Sequence, residues 1–163
     1  MFFERLLKQL NTKKIRYLVI GGVAVNLHGF NRTTGDLDIL ISLDSVNIKK
    51  LIELIKSLKW KPRIPVKVEE FADIKMRKAW IKKKGMKVFS VYNPKKEFEH
   101  LDIMVENRIN FESAYRNKKV LSTGTTKVPI ISIKDLIKLK KIAGRERDII
   151  DIKALMQIKR LTR

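Results

Sequence analysis

Hydrophobic positions along the chain recur first at helical and then at strand spacing, and this order predicts a fold of mixed α and β elements. The first ten residues place Phe3 and three leucines on one side of a helix. Residues 15–20 (IRYLVI) and 36–43 (DLDILISL) are largely apolar runs, which is typical of buried strands. Between them, VAVNLH predicts a short helix that ends at Gly29.

The middle of the chain continues this alternation. Apolar spacing predicts a helix from 46 to about 58, with Asp44 or Ser45 as its cap. Two strands follow in KVFSVYNP and FEHLDIMV, and KKVLS and KVPII predict a further small hairpin around STGTT.

The chain ends in two predicted helices, over 133–143 and 146–159, which Gly144 separates. No repeat or long linker divides the sequence. The pattern therefore predicts a single α+β domain over residues 1–163, with a mixed β-sheet flanked by helices and a helical C-terminal part at 132–163.

The composition narrows the possible chemistry. The chain has 163 residues, 44% of them hydrophobic, and no cysteine, which excludes disulfides, zinc thiolates and cysteine nucleophiles. Its N-terminus becomes charged too early for a signal peptide, and no apolar run reaches the roughly 20 residues of a membrane span. We therefore expect a cytoplasmic protein with no membrane partner.

The charge favours a polyanionic partner. Lys and Arg total 37 against 17 Asp and Glu, a net charge of +20, which is typical of nucleic-acid-binding proteins. A lysine-rich surface without a specific partner is the alternative. The cations are concentrated in a basic, variable insertion at 59–87, where RKAWIKKK sets a tryptophan among them. Base stacking beside phosphate contacts predicts nucleic-acid binding there, whereas a solvated helix anchored by its tryptophan is equally compatible. The candidate residues are Arg77, Lys78, Trp80, Lys82, Lys83 and Lys84.

Three aspartates lie in apolar surroundings. Asp36 and Asp38 are two residues apart on a predicted strand, so both side chains project from one face. Two adjacent carboxylates repel each other unless a divalent cation such as Mg²⁺ lies between them. Asp102 in HLDIMV would complete a site for two metal ions if its strand is a neighbour. The alternatives are a turn cap at Thr34–Gly35 for the pair and a surface ion pair for Asp102.

A glycine pair, Gly21–Gly22, separates a predicted strand from the short helix that follows. Glycine there allows the backbone to approach a phosphate, and helix amides face the same point. Near the other end, an apolar stripe in the helix over 133–143 continues onto Lys140, which therefore reaches toward a buried anion or an open cleft, or lies at the edge of the stripe. Asp148 shares a helix face with Leu155 and points inward by the same spacing.

These motifs together resemble a known family. GGVAVNLHG, RTTGDLDI, HLDIM and DLIKLKKIAGRERDIIDI are similar to the minimal nucleotidyltransferases of the DNA polymerase beta superfamily, and most similar to the AbiEii-like branch of toxin–antitoxin and phage-defence systems. The resemblance covers nearly the whole chain, least so at 59–87. It implies a nucleotidyltransferase-like sheet with helices on its face. Much of the superfamily has Gly-Ser where this chain has Gly21–Gly22.

The resemblance also implies roles for individual residues. Asp36, Asp38 and Asp102 match the family's metal-binding acids, with Mg²⁺ or Mn²⁺ as cofactor. The nucleotide would be bound by Gly21, Gly22, Arg32, Thr34 and Lys140. The catalytic set would be Asp36, Asp38, Asp102, Lys140 and Asp148, with Asp148 and Asp151 matching an RxRDxxD pattern.

The resulting hypothesis is a metal-dependent enzyme that moves a nucleoside monophosphate from an NTP to an acceptor hydroxyl. The charge favours RNA, including tRNA, as the acceptor. The resemblance adds a cognate toxin or antitoxin protein as a further partner. Nucleotidylation of such a partner protein is one alternative, and a non-catalytic nucleic-acid-binding module on the same fold is another.

Overall fold

The computed structural model describes residues 2–162, which form seven strands, seven α-helices and one short 3-10 helix. The strands are β1 Tyr17–Ile20, β2 Leu37–Ile41, β3 Lys61–Pro62, β4 Val88–Asn93, β5 Lys96–Met104, β6 Lys119–Thr123 and β7 Thr126–Ile130. The helices are α1 Phe2–Thr12, α2 Gly21–Leu27, α3 Ser45–Ser57, α4 Ile74–Lys84, α5 Phe111–Arg116, α6 Ile133–Ala143 and α7 Glu146–Leu161, and the 3-10 helix is Val68–Ala72.

All seven strands belong to one mixed sheet in the order β3-β4-β5-β2-β1-β7-β6. β2 pairs with β1 in antiparallel and with β5 in parallel orientation, so it is the central strand that its apolar run predicts. The predicted α+β class with a nucleotidyltransferase-like mixed sheet is confirmed. The β6–β7 hairpin is not separate from this sheet, because β7 runs parallel to β1.

Local sequence signals explain most of the element ends. The Asp44 side chain accepts a hydrogen bond from the backbone N–H of Asn47 at 2.8 Å and caps α3, as predicted. Gly144 ends α6 in the left-handed conformation. The sequence pattern does not predict three short elements: β3, the 3-10 helix and α5, which begins after an Asn110 cap.

One face of the β4–β5 pair packs into the core. Phe89 on β4 contacts Phe71 of the 3-10 helix and Trp80 of α4, with ring centroids 5.2 and 5.4 Å apart. Phe71 and Trp80 are both almost fully buried. The segment 59–87 therefore contributes large side chains to the core, and the opposite face of β4 and β5 stays accessible.

Within residues 2–162, no helix combines the length and the apolar character that crossing a membrane requires.

Candidate functional site

Asp38 and Asp102 lie side by side on adjacent strands. They are register partners in the parallel β2–β5 pair, so their side chains leave the same face of the sheet about 5 Å apart at the backbone. Asp36 precedes β2 by one residue and projects from the same face. The pairing of β2 with β5 thus brings together the three carboxylates that the sequence singles out.

A cavity of about 320 Å³ opens over these carboxylates. Its acidic side consists of Asp36, Asp38 and Asp102. Every predicted nucleotide-binding residue also lines it, namely Gly21, Gly22, Arg32, Thr34 and Lys140. Residues from α2, the β1–β2 connection and α6 therefore meet at one end of the sheet, which is the arrangement that an active site requires.

The electrostatic environment of Asp38 favours a bound cation. Burial raises the pKa of Asp38 to about 7, and the neighbouring carboxylates of Asp102 and Asp36 add to this effect. The positive charges of Arg145 and Arg147 act in the opposite direction without reversing it. A half-buried carboxylate with two acidic neighbours is stabilised in its charged form by a hard divalent cation.

The other two acids already have partners. Asp36 Oδ1 lies 2.9 Å from Nε2 of His100, and Ser90 Oγ donates a hydrogen bond of 2.5 Å to Asp102 Oδ1. Within residues 2–162, no three Asp, Glu, His or Cys side chains stand in an arrangement that would hold a metal ion as they are placed. The three acids fit Mg²⁺ or Mn²⁺ by donor chemistry. Their role as ligands stays a prediction, since Asp36 faces His100.

The two glycines are required by close packing. Gly21 has a φ of +65°, and a Cβ there would lie within 3.0 Å of three side-chain atoms of Asp38. A Cβ on Gly22 would overlap the side chains of Thr34 and Arg32. Gly21 and Gly22 form the first turn of α2 instead of preceding it. The Gly-Gly pair thus lets α2 begin directly against Asp38 and Thr34, and its contact with phosphate stays a prediction.

Lys140 is held by two buried aspartates. Its Nζ donates to Asp151 Oδ2 at 2.6 Å and to Asp148 Oδ1 at 3.2 Å. Lys140, Asp148 and Asp151 are each less than 5% exposed. Lys140 also lines the cavity, so the stripe that continues onto it indeed leads to buried anions and to a cleft.

The same aspartates orient two further cations of the cavity. Arg145 Nε donates to Asp148 Oδ2 at 2.8 Å, and Arg32 Nε lies 3.4 Å from Asp151 Oδ1. Burial raises the pKa of Asp148, but hydrogen bonds from Arg145 and the charge of Lys140 lower it overall. Arg32, Lys140 and Arg145 therefore supply a group of cations to the cavity that the acids line.

Asp148 does not line the cavity, and its carboxylate is occupied by Lys140 and Arg145. Asp148 is therefore placed to orient Lys140 and Arg145, and its catalytic role stays a prediction. Four cations that the sequence analysis gave no role also line the cavity: Lys87, Arg108, Arg145 and Arg147. A sequence signal exists only for Arg145 and Arg147, which belong to the GRERD sequence at the start of α7.

The structure separates the residues of the basic segment that are accessible to a nucleic acid from those that are buried. Trp80 is 3% exposed and stacks on Phe89, so it offers no face to a base. Arg77 is buried as well, and its guanidinium donates to the backbone carbonyl of Phe71. Both nucleic-acid-binding predictions are therefore wrong. Exposed positions remain at Lys78, Lys82, Lys83 and Lys84, whose nucleic-acid contact stays a prediction.

A family model described as "Nucleotidyltransferase of unknown function (DUF6036)" matches residues 2–162. No curated protein matches the chain in sequence. The AbiEii-like branch is not confirmed by these matches, although the wider nucleotidyltransferase resemblance is.

Solved structures with the same fold include antibiotic-modifying enzymes. Lincomycin-bound LnuA, a lincosamide antibiotic adenylyltransferase, is 19% identical with a TM-score of 0.63, over 96% of this chain and 96% of that chain. ANT(2")-Ia in complex with adenylyl-2"-tobramycin is 12% identical with a TM-score of 0.57, over 93% of this chain and 83% of that chain. An antigenic nucleotidyltransferase-like protein from Paracoccidioides brasiliensis is 17% identical with a TM-score of 0.60, over 97% of this chain and 73% of that chain. At these identities the likeness establishes the fold.

Proposed function

Because the chain belongs to the nucleotidyltransferase family DUF6036, we propose that it transfers a nucleoside monophosphate from an NTP to an acceptor hydroxyl in a reaction that depends on Mg²⁺ or Mn²⁺. One observation carries this proposal. Asp38 and Asp102 are register partners on β2 and β5 and line a cavity that Arg32, Lys140 and Arg145 also line. Carboxylates for metal and cations for phosphate within one cavity are what nucleotidyl transfer needs.

The acids and the cations of the cavity have different roles in the proposed reaction. Asp36, Asp38 and Asp102 would hold the metal ions, which supply charge neutralisation at the phosphates when bound. Arg32, Lys140 and Arg145 would bind the triphosphate, and the two aspartates behind them keep these cations in place. Holding the nucleotide and the acceptor in line contributes to the rate by removing the entropy of encounter.

Nucleotidyl transfer forms one bond to phosphorus and breaks another. The acceptor oxygen forms a bond to the α-phosphorus, the bond from that phosphorus to the bridging oxygen of the β-phosphate breaks, and pyrophosphate leaves. The hydroxyl proton passes to the carboxylate of Asp102 and from there to solvent. Ser90 donates to Oδ1 of Asp102, which orients the carboxylate and leaves Oδ2 for the acceptor.

RNA, including tRNA, is the acceptor that we propose. The support is electrostatic: the net charge of +20 and the exposed lysines near the end of α4, from which the chain passes directly into Lys87 on the rim of the cavity. A role in a toxin–antitoxin pair rests only on the family resemblance. A small hydroxylated molecule is the second candidate, because antibiotic adenylyltransferase LnuA has nearly the same length and fold.

The acceptor is identified by incubating the protein with each of the four α-³²P-labelled NTPs and Mg²⁺. Total RNA, purified tRNA, protein extract and small hydroxylated antibiotics serve as parallel acceptors. We expect label in RNA and none with Asp38→Asn, whereas Asp73→Asn, at the exposed cap of α4, keeps full activity. Label in protein or in the antibiotics alone would overturn the RNA assignment, and its absence from all acceptors would overturn the proposed reaction.

A further inference from the structure

Among residues 2–162, one face of the β4–β5 pair has only partly or fully exposed side chains. Alternate residues of the two strands point to this face, and none of them is buried: Ser90 and Tyr92 on β4, and Phe98, His100 and Asp102 on β5. Phe98 is 71% exposed. The ring of Phe98 is therefore open to a ligand on the same face as the half-exposed ring of Tyr92.

The open face leads directly to the acids of the cavity. Tyr92 pairs with His100 across the two strands, and His100 Nε2 lies 2.9 Å from Asp36 Oδ1. One step further along the strands, Ser90 pairs with Asp102. From Phe98 to Asp102 is four residues, or about 13 Å along β5. A ligand on this face can therefore place one end at the reacting centre.

The chemistry of the face suits nucleobases and phosphates. The guanidinium of Arg63 lies 5.2 Å from the centre of the Tyr92 ring, and Lys61 is the cross-strand partner of Tyr92. Both cations are exposed. Lys95 adds another exposed cation in the turn between β4 and β5. Aromatic rings that accept stacked bases, beside cations that contact the backbone, are the combination by which proteins bind single-stranded nucleic acid.

We infer that this face, the aromatic platform formed by Arg63, Tyr92, Phe98 and His100, binds the single-stranded 3′ end of an RNA acceptor and leads its terminal hydroxyl to Asp102. The inference rests on the proposed nucleotidyl transfer. Phe98 and Tyr92 provide the stacking surfaces, and Arg63 and Lys61 contact phosphates. A base-paired end is excluded as the ligand because its bases are already stacked within the helix.

Charge separates RNA from a peptide as the occupant. Arg63 and Lys61 lie beside the half-exposed ring of Tyr92, Lys95 is in the β4–β5 turn, and the whole chain carries +20. A partner must then combine flat apolar groups with negative charge. Single-stranded RNA supplies both at every nucleotide, so it is the occupant to which these observations lead.

Binding is tested with a fluorescently labelled single-stranded RNA of about a dozen nucleotides, a length that such sites accommodate. Fluorescence anisotropy is measured in Mg²⁺ without NTP for the wild type, Phe98→Ala and Arg63→Gln. Ile74→Ala and Arg116→Gln are matched controls, because both positions are exposed and lie outside the cavity and the platform. Thermal unfolding checks that all variants are folded.

We expect each platform variant to weaken single-stranded binding by about tenfold, while the controls and the affinity for a blunt duplex stay unchanged. In transfer assays the KM for RNA rises by a similar factor and the KM for NTP does not. Unchanged affinity in Phe98→Ala and Arg63→Gln would overturn the platform, as would a wild type that binds no single-stranded RNA or binds a peptide in its place. Because binding is read without NTP, a protein that binds as expected but transfers no nucleotide contradicts only the proposed reaction.

Discussion

Lys140 Nζ and Asp151 Oδ2 form a buried ion pair with a distance of 2.6 Å. Lys140 also lines the candidate nucleotide site. The partners of the pair on either side are Asp148 and Arg32. Buried pairs of this kind add little net stability relative to apolar packing, but breaking one is costly. The pair therefore keeps a cation at a fixed position in the cavity.

Replacement of Lys140 by Met is expected to destabilise the protein by about 3 kcal/mol, because two aspartates lose a buried partner. This lowers Tm by roughly 10 °C in calorimetry for a domain of this size. Lys138→Met is the control, since Lys138 is exposed and pairs only with Asp135. The double variant Lys140→Met, Asp151→Asn should be more stable than Lys140→Met alone. Additive losses would show that the pair is not coupled.

Asp38→Asn is expected to stabilise the protein when no metal is bound. The pKa of Asp38 in the folded state is about 7, above its ordinary value of 3.8. Folding therefore favours the protonated form, and this contribution is full below pH 3.8 and is lost as the pH rises through 7. At pH 8 in EDTA, Asp38→Asn should raise stability by on the order of 2 kcal/mol, or several degrees in Tm.

Metal addition provides the complementary result for Asp38. Mg²⁺ should raise the Tm of the wild type at pH 8 and leave that of Asp38→Asn unchanged, because bound ligand stabilises only the folded state that holds it. Equal Tm values for both proteins in EDTA, across pH 5 to pH 8, would contradict the burial of an unfavourable charge at this position.

Gly22→Ser is expected to impair the site although serine occurs there in related families. A Cβ at this position would overlap Thr34 and Arg32, so the substitution displaces two residues of the cavity. We expect a lower Tm and a KM for NTP raised by about tenfold or more. Gly35→Ser is the matched control, because no atom lies within 4 Å of the corresponding Cβ position. Higher activity in Gly22→Ser would show that the missing hydroxyl, and not the close packing, limits this site.

Replacement of Lys82, Lys83 and Lys84 by Gln tests the basic segment. All three are exposed at the end of α4, so Tm should stay within a degree or two, while RNA affinity at low salt decreases. Each lost phosphate contact reduces the slope of log K against log salt by about one. A triple variant at exposed Lys13, Lys49 and Lys119 controls for net charge. An equal loss in both triple variants would indicate a diffuse charge effect without a binding surface in α4.

The acids of the site could be found from the sequence because strand spacing alone places Asp36 and Asp38 on one face. Their proximity to Asp102 could not be found in this way. It depends on the parallel pairing of β2 and β5, whose paired residues are more than 60 positions apart along the chain. Only the family resemblance associates Asp102 with Asp36 and Asp38. Within the helices, the same limit applies to Lys140, whose inward direction follows from its stripe but whose aspartate partners follow only from the packing of α6 on α7.

The basic segment shows where local pattern fails. Cations occupy most positions of α4, so the sequence gives no apolar stripe to indicate which side faces the core. The structure buries Trp80 and Arg77 against Phe71 and Phe89. The exposed phenylalanine Phe98 is instead on the sheet, where it precedes His100 and Asp102 in a strand whose alternation the sequence does show.

Nucleotidyl transfer at Asp38 and Asp102 is tested by an assay that follows both reaction products together. The wild type, Asp38→Asn and Asp73→Asn are incubated with NTP, Mg²⁺ and a single-stranded RNA. The released pyrophosphate is quantified, and the molecular mass of the RNA is measured by mass spectrometry. We expect one pyrophosphate for each nucleoside monophosphate added to the RNA by the wild type and Asp73→Asn, and neither product with Asp38→Asn. Equal transfer by Asp38→Asn, or RNA of unchanged mass with the wild type, would overturn the proposed reaction.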